Sequence, residues 1–203
     1  MATPPRTSGK PPSKLGGELS RLLPHLQLDT VGTTALGGCA NPIEALGRLE
    51  QAELLMEATR LVAHALPARE AVWWACACTR HTAPSGAKPD IEAMLRDAAE
   101  TWVRQPTDEH RRAAMKQAET AGFDSAEAWA AVAAFWSGDS MAPLEAPKVP
   151  PQPHFTGLAV AGSIALAAVR GQASRREARL RQFLVSAKDI AAGGAGRLEA
   201  ETD

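Results

Sequence analysis

The run LPAREAVWWACACTRH, Leu66 to His81, opens with a proline and a charged turn, then becomes almost wholly apolar from Ala71 to Cys78. Pro67 suits the start of a helix, where its missing N–H has no intrahelical partner to lose. Neighbours on a helix point about 100° apart, so Trp73 and Trp74 cannot share one narrow stripe. A helix that is apolar most of the way round must be buried on several sides. The run therefore predicts the central helix of an all-α domain, with both indoles inside and the other helices packed around it.

Composition points the same way. The chain has 203 residues, 45% of them apolar, and alanine dominates that fraction beside five Trp, four Phe and no Tyr. Alanine is the strongest helix former and lets helices approach closely. Val and Ile are few, which leaves little material for a sheet-based core. A formal net charge of −1 argues against broad electrostatic attraction to nucleic acid or to an anionic membrane surface. The three cysteines, Cys39, Cys76 and Cys78, read as reduced thiols, two of them within the apolar run. The start, MATPPRTSGKPPSKLGG, has no apolar signal core and reads as a disordered tail over residues 1–17, which together with the thiols predicts a cytoplasmic protein.

Working outward, Asn41-Pro42 is a strong helix start, and an apolar residue then recurs every three or four positions from Ile43 to Val62, predicting one amphipathic helix to about Ala65. The glycine-bearing stretch before it, DTVGTTALGGCAN, reads as a loop. Downstream, Pro89-Asp90 opens a helix that ends before Pro106, and Thr107 or Asp108 caps the next, which stops at Gly122. Asp124 or Ser125 caps a helix ending at Ser137-Gly138, and Ser174 is placed to cap the last. The expectation is about six or seven helices in a compact bundle spanning residues 18–193, with a flexible acidic tail at 194–203.

Residues 141–153, MAPLEAPKVPPQP, hold five prolines and predict an extended strap across the bundle. The next run, FTGLAVAGSIALAAV (155–169), is strongly apolar but shorter than the ~20 residues needed to span a bilayer. It reads as a buried helix, not a stable membrane insertion.

Candidate chemistry is thin. Cys76 and Cys78 lie about 200° apart on a helix, so only Cys78 and His81 share a face, and no paired set of zinc ligands follows. Cys39, in a loop before the helix start at Asn41, is the best placed thiol for reactivity; with His64 and His81 it is first to test for an unrecognised cysteine/histidine site. The glycines at 193–196 lack the Lys-Ser/Thr of a phosphate loop. The arginines of Ser174–Lys188 flank an apolar stripe and suit a docked helix better than a phosphate-binding one. No catalytic, cofactor or metal residue is assigned. The tryptophans fill the core in the simplest reading; the remaining lead is a groove for a protein partner beside the strap, lined by one of them, with Trp136, Met141, Leu144 and Val149 as candidate partner-binding residues.

Four stretches, LPAREAVWWACACTRH (66–81), AFWSGDSMAP (134–143), VPPQPHFTGLAVAGSIALA (149–167) and RLRQFLVSAKDIAAG (179–193), resemble an uncharacterised bacterial all-helical family associated with type VI secretion gene clusters. The resemblance implies a cytoplasmic accessory protein, an adaptor or chaperone for a secreted effector or its spike, and carries no catalytic motif. The expected function is non-enzymatic binding of a protein partner. An enzyme with a cysteine/histidine site and a peripheral membrane protein using residues 155–169 are the competing classes.

Overall fold

The computed structural model describes residues 13–202. Among these the chain is all-helical, with no strand and ten α-helices: α1 (Leu19–Leu22), α2 (Thr30–Ala35), α3 (Pro42–Gln51), α4 (Leu55–Ala65), α5 (Ala68–His81), α6 (Pro89–Arg104), α7 (Asp108–Ala121), α8 (Ala126–Trp136), α9 (Phe155–Val169) and α10 (Arg176–Ala191). The helix ends follow capping chemistry. Asn41 Oδ1 accepts from the N–H groups of Ile43 and Glu44, both at 3.0 Å. Thr107 and Ser125 cap α7 and α8 by accepting from His110 N and Ala128 N.

The helix count exceeds six or seven for two main reasons. The stretch from Ile43 to Ala65 is two helices. Glu53 takes a left-handed φ of 57°, Leu54 N bonds Leu49 O at 2.9 Å, and Glu53 N bonds Glu50 O at 3.1 Å. This is the Schellman arrangement with glutamate where glycine is usual, so the apolar period runs on while the backbone turns. The stretch 29–36 is a helix, not a loop: Asp29 Oδ1 accepts from Gly32 N at 2.8 Å, and the Thr33 and Thr34 hydroxyls bond back to the carbonyls of residues 29 and 30. At the last helix, Ser174 is not a cap; a 3-10 turn over Ala173–Arg175 leads into α10 without a side-chain cap.

α5 packs against α4, α6, α8, α9 and α10. The expectation that both its indoles are enclosed is corrected. Trp74 is 0% exposed and its Nε1 donates to Phe183 O of α10 at 2.8 Å, whereas Trp73 is half-buried at the surface. Successive side chains diverge too far for one core to take both. α8 is more completely enclosed: nine of its eleven residues are buried, and the two left partly open are Trp129 and Trp136. Its alanines let α9 approach closely, and Ser163 Oγ bonds Ala126 O across the contact at 2.7 Å. α9 turns Val160, Ile164, Ala167 and Ala168 inward. No single helix among the described residues is long and apolar enough to cross a membrane.

One ion cluster sits inside. Glu127 on α8 is 0% exposed; Arg170 grips both its oxygens, and Arg96 of α6 stands 3.6 Å away. Arg170 also donates to Thr79 O of α5 at 3.4 Å, so this residue just beyond α9 links α5 to the carboxylate on α8.

Both expected tails need correction. Residues 1–12 and 203 lie outside the described residues, but Ser13–Gly17 does not behave as a tail. Lys14 N bonds Ala191 O at 2.7 Å, Gly16 N bonds Ala65 O at 2.9 Å, and Leu15 is buried. After α10 the segment turns back onto the bundle, where Arg179 and Glu201 form a two-point ion pair. A buried guanidinium with a carboxylate within reach holds an otherwise polar, glycine-rich stretch in place.

Candidate functional site

The expected extended strap divides into two parts, and the first is a closed loop. A turn begins at Pro143, with Ala146 N donating to Pro143 O at 3.1 Å. Met141 N then bonds Val149 O at 2.7 Å, and Ser140 Oγ accepts from both Ala142 N and Val149 N. Lys148 pairs with Asp139 across the neck, and that hydrogen bond holds the Asp139 carboxyl below its usual range. A proline-rich chain has few N–H groups to satisfy, so these ties are enough to bring the ends of the loop together. The loop does not run along the bundle: Leu144 at its tip is 72% exposed and Val149 is 50% exposed.

The four sequence candidates therefore separate. Met141 and Val149 close the neck, and Leu144 stands at the tip. Trp136 joins a row of rings instead, 6.4 Å from Trp129 and 4.9 Å from Phe155 between centroids. The row continues from Phe155 to His154 at 5.0 Å, to His25 at 4.4 Å and to His64 at 5.1 Å. Its members come from α4, α8, the start of α9 and the turn Leu23–His25. Sequence reasoning missed His25 and His154. They lie far apart in the chain, and the one local hint is that each closely follows a proline.

His64 rests against the bare backbone of α9. A β-carbon on Gly157 would lie 2.2 Å from its Nδ1. Desolvation, then the neighbouring His25 and His154, lower its pKa to about 4. The three imidazoles do not make a metal centre. Lone pairs lie in the ring plane, and the rings of His25 and His154 are stacked at 12°, so their nitrogens run side by side instead of converging. Among the described residues, no group of three or more His, Cys, Asp or Glu is placed to hold a metal ion.

The remaining sequence candidates are dispersed. Cys76 and Cys78 are fully buried, and desolvation pushes both thiols up, away from the reactive thiolate. Cys39 is half-buried between α2 and α3. His81 is occupied elsewhere: its Nδ1–H donates to Glu199 O, and its Nε2 stands 3.6 Å from the Glu201 carboxylate. All three cysteines are free thiols.

A family model described as a family of unknown function (DUF6931) matches residues 45–191. No curated protein and no solved structure matches the chain.

Proposed function

The chain belongs to the family of unknown function DUF6931, and from that premise we propose that it is a non-enzymatic protein that binds a protein partner through the loop at residues 140–149. The observation that carries the reading is the loop itself. It holds Leu144 and Val149 in solvent while its neck is fixed by one backbone–backbone hydrogen bond, two bonds to the Ser140 hydroxyl and an ion pair. An apolar tip on a pre-organised loop loses little conformational freedom when it is covered. The half-buried Trp136 beside the start of α9 offers a second aromatic anchor of the kind interfaces favour.

Against catalysis stand the buried thiols of Cys76 and Cys78 and the dispersal of Cys39, His64 and His81 over different helices and turns. The finer part of the proposal is a cytoplasmic adaptor or chaperone for a type VI secretion effector or spike, and it rests on the resemblance of the four stretches quoted above.

The test is co-expression with type VI secretion effector and spike proteins from the same genome. One of them is expected to co-purify with the unaltered protein. Leu144→Asp together with Val149→Asp is expected to abolish that capture while leaving thermal unfolding unchanged, since both side chains already face water. Capture undiminished by the double change overturns the loop as the binding surface, and no capture of either protein overturns the secretion role.

A further inference from the structure

The segment after α10 is bound in the manner of a peptide ligand. Its backbone makes most of its hydrogen bonds, and Leu198 rests against the core. Trp73 Nε1 donates to Ala195 O at 2.8 Å, Ser186 Oγ donates to Gly196 O at 2.6 Å, and His81 Nδ1 donates to Glu199 O. Asp189 Oδ2 accepts from Gly196 N at 2.8 Å, and His81 O accepts from Glu201 N at 2.8 Å. Residues 195, 197, 199, 200 and 202 are exposed.

Two side-chain positions carry selectivity. A β-carbon on Gly196, whose φ is 62°, would meet Ile190 at 2.4 Å, so only glycine fits there. Five residues on, the Glu201 carboxylate takes Nε and Nη2 of Arg179 at 2.9 and 2.6 Å, with Arg175 at 3.5 Å. Arg179 is 1% exposed and spends its remaining donors on the carbonyls of Ala168 and Arg170, so the carboxylate answers a charge already fixed inside the helical frame.

Two further observations separate the holder from the held. Trp73, His81, Arg179, Ser186 and Asp189 all fall within the family match at 45–191, whereas the bound segment falls outside it. In addition, His81 Nε2 is buried without a hydrogen-bond partner and faces the carboxylate site, an unfilled polar capacity in the holder.

We propose that the α5–α10 face is a receptor for an extended acidic peptide with glycine at one position and glutamate five residues later, and that residues 195–201 fill it in cis. The occupant in trans is a peptide of another protein with that pattern, and the chain's own segment acts as a tethered competitor. The receptor is separate from the 140–149 loop, so its test uses no change at Leu144 or Val149.

The experiment uses the full chain carrying Gly196→Leu and Glu201→Ala, which disfavour docking in cis, and a fluorescein-labelled synthetic peptide, AGRLEAETD. Anisotropy is expected to give saturable binding to this variant. Binding to the unaltered chain is expected to be about tenfold weaker or more, because a tethered competitor acts at high effective concentration. A peptide carrying Glu201→Gln is expected to lose about tenfold in affinity. Peptide addition should also raise the variant's melting temperature and restore the hydrogen-bonded position of the Trp73 indole N–H signal in NMR spectra. Should the double change cost the helical circular dichroism, Glu201→Ala alone serves as receptor with the same readouts. A folded variant that shows neither binding nor thermal shift overturns the proposal. A wild-type dimer in light scattering that dissociates with Glu201→Ala overturns it in favour of segment exchange between two copies.

Discussion

Trp73 and Trp74 are adjacent, chemically identical and differently used. Trp74 fills the space between α5 and α10 and anchors its N–H on Phe183 O; Trp73 lies half-open and donates to Ala195 O. Trp74→Ala is expected to destabilise the protein by ~3–5 kcal/mol, since it removes a buried ring and leaves a cavity in a tightly packed interior. Trp73→Ala should cost well under half of that in urea unfolding, because much of its ring already faces water. Equal losses at the two positions would contradict this division. The sequence makes clear that such a helix must be enclosed, because two indoles 100° apart cannot both sit on a polar face. Which one goes inside depends on where α10 and the following segment lie, and no local pattern carries that information.

At the scale of the helix, three start signals were readable, while the Asp29 cap went unread, Ser174 does not cap, and one stop signal was hidden. Asn41, Thr107 and Ser125 each cap as their type predicts. The break between α3 and α4 rests on Glu53 in a left-handed conformation, which its residue type does not advertise. The loop at 140–149 was hidden for a related reason: proline content predicts extension, while closure depends on the Ser140 hydroxyl and on Asp139 meeting Lys148. Helix α9 offers a direct test of packing. Gly157→Ala places a methyl where the His64 ring stands, and is expected to cost ~1–3 kcal/mol as that ring is pushed off α9. Gly162→Ala on the same helix meets nothing within 4 Å and should be stabilising by roughly 0.5–1 kcal/mol through helix propensity. Thermal melts of the two variants are expected to move in opposite directions.

For the whole molecule, the all-α class follows from an alanine-rich composition poor in β-branched residues, and the structure agrees among the described residues. What composition conceals is the docking of the two flanking segments, since Lys14–Ala191 and Arg179–Glu201 join residues that no local spacing relates. The histidine row gives the molecule an acid sensitivity with a defined window. Unfolded, His64 takes a proton near its ordinary value of 6.5; folded, it does so only at about 4. The unfolded chain thus binds a proton that the native one refuses, so stability is full above 6.5 and is lost as pH falls toward 4. His25 shifts in the same direction through desolvation and His154. The depressed carboxylates, Glu70 and Glu201 among them, act below their ordinary value of 4.5 and leave most of that window to the histidines. Melting temperature is expected to fall between pH 6.5 and 4, and His64→Gln should flatten the decline.

The Arg179–Glu201 clasp also has a place in time. A nascent chain emerges from the ribosome in order, and its helices begin to associate during synthesis. Arg179 and Glu201 are 22 residues apart, fewer than the ribosome's exit tunnel covers, so both are still enclosed when residue 201 is added. The earlier helices can already associate while the clasp is out of reach. Closure of this face over Trp73 and His81 is therefore a late step, taken on a bundle that is already largely assembled.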